Sequence, residues 1–138
     1  MPSGLPRHFD DDPSIAGAER LLRRIPPSWL RRDPDGALVP DDQGRPQISS
    51  AAFRDRELSI NLETVMRQAG RSPKDAIAGR PDCGVAAITA SLARSHSQAV
   101  ARDPIPDEPA HGVVFGNKRS KHVDKKLAQA ADWIVNPP

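Results

Sequence analysis

Ile15, Ala18, Leu22 and Ile25 fall at helical spacing behind Asp12-Pro13, which offers an N-cap and a proline at the first helical position. The pattern predicts an amphipathic helix over 13–25, ended by Pro26-Pro27, with Arg20, Arg23 and Arg24 off its apolar stripe. Turn signals follow at Asp33-Pro34-Asp35-Gly36 and Asp41-Asp42-Gln43-Gly44, and Ala37-Leu38-Val39 between them reads as a short strand. Residues 47–53 read as a strand whose largest apolar residues are Ile48 and Phe53. Leu58, Ile60 and Leu62 alternate with Ser59, Asn61 and Glu63, the period of a half-buried strand. A helix is expected next, with Asn61 as candidate cap and Gly70 as its stop, so strand and helix overlap at 61–63.

Ser72-Pro73-Lys74-Asp75 resembles a capping box that opens a short helix closed by Gly79. Periodicity leaves two readings for 84–96: one helix, or a buried strand through Ile88 followed by a helical turn capped by Thr89. Residues 98–102 form a candidate strand, 103–110 an extended proline-rich loop, and His111 to Phe115 a strand ending at Gly116. Ser120 then caps a last helix, 121–132, with Val123, Leu127 and Ala131 on one face, and Trp133-Ile134-Val135 closes against the core. The expected fold class is α+β: a small mixed or antiparallel sheet of about four or five strands, with the N- and C-terminal helices packed on one face.

At 138 residues the chain is read as a single domain over 12–138, preceded by a polar, disordered tail over 1–11. Hydrophobic residues make up 37%, with no Tyr, so the core must come mainly from Ala, Val, Ile and Leu. The net charge of +2 imposes no global field that would demand nucleic acid or a membrane. One cysteine excludes an internal disulfide and a multi-cysteine zinc site, and fits a reducing compartment. The amino terminus lacks the apolar core of a signal peptide, and no stretch has the length of a membrane span, so the expected location is cytoplasmic. No cofactor signature is present. His8, His96, His111 and His122 share no ligand spacing, so no metal site is expected.

Two constellations carry possible chemistry. Cys83 would lie at a helix N-terminus if 84–96 is helical, where the dipole favours the thiolate, and His111 opens a strand 28 residues on. A cysteine at a helix start facing a histidine at a strand start is the plan of papain-like peptidases, and the order looks like that of bacterial cell-wall cysteine peptidases. No third, orienting residue is identifiable. The plain alternatives are a small semi-buried Cys83 in a turn and a His111 that bonds loop backbone. Asp103, Asp107 and Glu108 either approach His111 or belong to a solvated loop. The second constellation is Gly116 to Lys121 and its continuation. Lys118, Arg119, Ser120, Lys121, Lys125 and Lys126 join a strand to a helix start and could hold phosphate, although no Walker spacing and no interleaved aromatic accompany them. The plain alternative is a solvated helix end.

The segments GRPQISSAAFRDRELSINLE (44–63) and RDPIPDEPAHGVVFGNK (102–118) resemble a family of small bacterial proteins without an assigned activity. That family has an SSAAF-type strand ahead of an LSV-type strand, and a D-P-x-P-x-x-P-A-H segment leading to G-x-K. The resemblance implies an intracellular bacterial protein and a shared fold, and it includes His111 but not Cys83. Three functional expectations follow. The favoured one is a non-enzymatic interaction or accessory module whose partner is another protein, in a bacterial multi-gene system such as a defence or toxin-related one. The others are a Cys83/His111 hydrolase or acyl-transfer enzyme, and a phosphate or nucleic-acid binder using the 118–126 segment.

Overall fold

Leu21, Leu22, Arg23 and Ile25 are all buried, and the segment that carries them is a strand. In a computed structural model, which describes residues 10–116 and 121–138, this strand β1 (Arg20–Ile25) lies inside an open sheet with β2 (Glu57–Leu62), β3 (Gly84–Thr89), β4 (Ala99–Arg102), β5 (His111–Phe115) and β6 (Asp132–Val135). The order is β4-β5-β2-β1-β3-β6 and every pairing is antiparallel. The α+β class holds, but the sheet has six strands rather than four or five.

The expected helix over 13–25 is the main correction. Its apolar spacing is real, but a strand covered on both faces also buries consecutive residues, and the two periods coincide over so short a run. Ala18, assigned to the apolar stripe, is exposed. Asp12 caps no helix: its Oδ1 accepts from Ser14 N at 2.9 Å and from Ser14 Oγ at 2.6 Å. Asp11, placed in the expected tail, accepts from Val100 N at 2.9 Å and Arg94 Nε at 3.1 Å, tying the segment to β4 and to the helix Ala90–Ser95 that precedes it. Residues 1–9, the rest of that tail, lie outside the described residues.

The expected strand over 47–53 is also corrected. Only Ile48 bridges to Leu30, and Ser50–Phe53 is a 3-10 helix. Its tight turn places the adjacent Ala52 and Phe53 in the same face's core, whereas a strand would send them to opposite faces. Of the expected strand at 37–39, only Leu38 makes an isolated bridge, to Arg32, and Pro40 just beyond it bridges to Pro46, within a hairpin-like excursion. Asn61 caps nothing. It lies in β2, and helix α1 (Glu63–Gln68) follows Leu62 without a side-chain cap.

Elsewhere local chemistry is decisive. Residues 84–96 are strand β3 and then helix α2 (Ala90–Ser95), and Thr89 Oγ1 accepts from Leu92 N at 3.1 Å as N-cap. Asp75 accepts from Ser72 N at 2.7 Å at the start of the 3-10 helix Pro73–Ile77, and Gly79 closes it at a φ of +77°. Helix α3 (Lys121–Ala130) spans most of the expected C-terminal helix, while its proposed cap, Ser120, lies outside the described residues.

Strand alternation divides the buried residues between two faces. On one, Leu21, Ile25, Leu58, Ile60, Val114 and Trp133 pack with Phe53 and with Leu127 of α3. On the other, Leu22, Val85 and Ala87 pack under Met66 of α1, Ile77, Cys83 and Ala110. The second face is the less completely covered one.

Candidate functional site: a cleft where two central strands part

Strand β1 pairs with β3 along all six of its residues, but with β2 only at Leu21–Leu62 and Leu22–Asn61. Continuing that register would match Arg23 with Ile60, Arg24 with Ser59 and Ile25 with Leu58, and none of these pairs forms. The strands part there. The resulting cleft has a volume of about 560 Å³. Arg23, Arg24, Pro26 and Trp29 line it from β1 and its continuation, and Ser59, Ile60 and Asn61 from β2. Ala76, Arg80 and Cys83 close one flank, and Ile105, Glu108 and His111 the other. The two segments singled out in the sequence therefore meet here: one supplies β2, the other the loop 103–110 and β5, and β2 pairs with β5 from Glu57–Phe115 to Asn61–His111.

Arg23 holds the fork open. Its side chain is 7% exposed and donates to Ala52 O at 2.7 Å and to Ser59 O at 2.8 Å, so the guanidinium satisfies a β2 carbonyl where a strand would have done so. The guanidinium carbon lies 4.9 Å from the Trp29 ring centroid, a cation–π distance.

The His111 flank is an ordered polar cluster. His111 Nδ1 lies 2.8 Å from Asp103 O and 3.2 Å from Asp103 Oδ2. Both neighbours are acceptors, so Nδ1 carries the proton and Nε2 is the free lone pair in the neutral ring. Asp103 is thus the orienting residue that sequence reasoning left unassigned. Glu108 accepts from both terminal guanidinium nitrogens of Arg71, and its carboxylate also accepts from Ala110 N at 3.2 Å. The Arg71 bond holds the Glu108 carboxyl below its ordinary value, against the opposing effect of burial. Asn61 Nδ2 stands 3.5 Å from Glu108 Oε1. The stiff loop is a built wall: Ile105 and Glu108 exchange backbone bonds at 3.2 and 3.0 Å.

Cys83 lines the same cleft from the opposite flank. It precedes a strand, so no helix dipole acts on it. Burial first, and then the neighbouring Asp82 charge, push its thiol pKa up, although Arg24 and Arg80 pull the other way. The Sγ lies 3.7 Å from Asp82 Oδ1. Three inter-strand steps separate β3 from β5, roughly 14 Å of sheet, so Cys83 and His111 share a cleft without forming a bonded pair.

The basic segment divides. Lys118, Arg119 and Ser120 lie outside the described residues. Lys121, Lys125 and Lys126 are exposed on α3. Lys125 lines a separate depression of about 550 Å³ against Arg31, Asp41, Asp42, Ser49, Ser50 and Trp133. Arg31 there is engaged by Gln47, and Trp133 Nε1 donates to Pro46 O at 2.8 Å. Among the described residues, no group of three or more His, Cys, Asp or Glu side chains could hold a metal ion. Among them, too, no helix is long and apolar enough to cross a membrane. Sequence reasoning missed Arg24, Arg80, Ser59 and Asn61 as cleft residues. The signal was the -Arg23-Arg24- pair, which was placed on the solvent side of a helix.

Compared with known proteins, the chain matches no family model, no curated protein and no solved structure.

Proposed function

We propose that this protein is a non-enzymatic interaction module that docks a segment of another protein in the cleft between β1 and β2. The observation that carries this reading is the parting of two central strands. Sheets normally satisfy their interior edges, and an unpaired stretch beside a cleft of mixed polar and apolar lining is a template for an added chain segment. The His111 flank is pre-formed by the Arg71–Glu108 pair and the backbone bonds of 105–108, which lowers the ordering cost of binding. The test is a tagged capture from a bacterial host, run with and without nuclease and read by mass spectrometry. A stoichiometric protein that survives nuclease and is lost on Ser59→Arg, which fills the cleft, is the expected result. A solitary monomer, or a partner that nuclease removes, defeats the reading.

A second reading, hydrolysis or acyl transfer, is favoured by one observation: Asp103 orients His111 as it would a general base. In that reading Cys83 is a poor nucleophile, since burial keeps its proton on. Hydrolysis of an activated ester by the purified protein, abolished in His111→Ala, would support it; equal rates in both would dismiss it.

A further inference from the structure

Arg24 and Arg80 are both exposed cleft residues, and neither makes an ion pair or a side-chain hydrogen bond within the described residues. Most other lining charges are already engaged. Glu108 is neutralised by Arg71, Arg23 is spent on Ala52, Ser59 and Asp55, and the His111 ring is held by Asp103. Arg24 pairs with Val85, two residues past Cys83, and Arg80 O accepts from Cys83 N at 3.1 Å, which places both residues at the same end of the cleft. Asp82, adjacent to Cys83, is an acidic group at that end. At the other flank, Ile105 is one of the two large hydrophobic side chains left exposed among the described residues, held between Pro104 and Pro106 on a closed turn.

Two unpaired cations at one end and a fixed apolar residue on the wall describe a complement. Resting on the docking function above, we infer that the cleft binds an extended acidic peptide segment, with carboxylates on Arg24 and Arg80 and an apolar side chain against Ile105. The segment lies along β1 at Arg23–Ile25, where β2 has left it unpaired. Guanidinium groups suit carboxylates because they offer two parallel donors. Nucleic acid fits less well, since the half-buried Trp29 already stacks on Arg23 and no exposed aromatic is left in the cleft for a base.

The test is selection of a random twelve-residue phage-displayed peptide library on the full chain, on Arg24→Glu/Arg80→Glu and on Arg24→Gln/Arg80→Gln. Both positions are exposed, and circular dichroism checks that each variant folds. The expected result is enrichment of Asp and Glu next to an apolar residue on the wild type. The Gln variant should lose that enrichment and the Glu variant should select Lys and Arg. A synthetic peptide from the wild-type pool should bind at least about tenfold more weakly to the Glu variant and unchanged to Arg32→Glu, which lies outside the cleft. Failure to enrich any peptide, peptides without acidic bias, or the same pool on all three proteins overturns the inference. So does an oligonucleotide that binds the wild type and not the Glu variant. Partner capture that depends on Ser59 while the selected peptides lack acidic bias would leave the docking function standing and remove only the acidic segment.

Discussion

Deleting the guanidinium of Arg23 takes donors from Ala52 O and Ser59 O and a cation from the face of Trp29. Arg23→Met keeps the length of the stem, so the loss is chiefly that of buried hydrogen bonds. A reduction of about 2–4 kcal/mol in unfolding free energy is expected, read from urea midpoints. Cys83 makes a chemical prediction. With its thiol pushed up by burial and by Asp82, native Cys83 should alkylate more slowly with iodoacetamide than a free cysteine from pH 6 to 9, and at the free rate in denaturant. Faster alkylation at pH 6 would revive the thiolate chemistry. Glu108 links the cleft to pH. Arg71 holds its carboxyl below the ordinary value of 4.5, so the ion pair's stabilisation is complete above that value and is lost as pH falls through the lower folded value. Wild type should therefore lose more stability between pH 7 and pH 3.5 than Glu108→Gln does, in paired urea titrations.

At the scale of elements, strand β6 depends on a missing side chain. A Cβ on Gly84 would stand 2.6 Å from the Trp133 ring and 2.8 Å from the Val135 carbonyl, and the second of these is backbone that cannot move without breaking the β3–β6 ladder. Gly84→Ala should cost about 1–3 kcal/mol and shift the Trp emission as Trp133 loses its seat. The elements that were legible in the sequence carry a local signature. Ser72 satisfies backbone locally ahead of Pro73–Ile77, Thr89 does so in one of the two readings open for 84–96, and β2 is marked by its strict alternation although its backbone pairs with β1 and β5. The element that was misread, β1, is defined by its neighbours. Its apolar residues satisfy a helical stripe equally well, and only β3 on one side and β2 on the other make the strand the better solution. The site was obscured by the same error. With β1 taken as a helix, Arg24 belongs to solvent and no cleft can form beside Ser59 and Asn61. His111 was found because a titratable ring at the end of a proline-rich loop is a sequence feature. Its partner Asp103 was within sight, eight residues away, but only the β4–β5 pairing turns it toward the ring.

On the scale of the whole molecule, the sheet is two groups of three strands. β4, β5 and β2 are joined by continuous ladders, and β1, β3 and β6 by ladders interrupted once, at the register shift between Val85 and Ala86, whereas two residue pairs connect the groups. The face that holds Phe53 and Leu127 spans both groups and keeps them together. The backbone amide of Arg24, which faces the cleft, should exchange with deuterium much faster than that of Ile25, which faces β3, or those of β5, and a bound segment should slow it. On the docking reading proposed above, the two groups form a pair of jaws. Leu21, Leu22, Asn61 and Leu62 are the pivot, the shared core is the spring, and the mouth opens toward Arg24 and Ser59. Whatever lodges between the jaws also clamps them, so an occupant would raise resistance to unfolding at the one seam where this sheet is weakest.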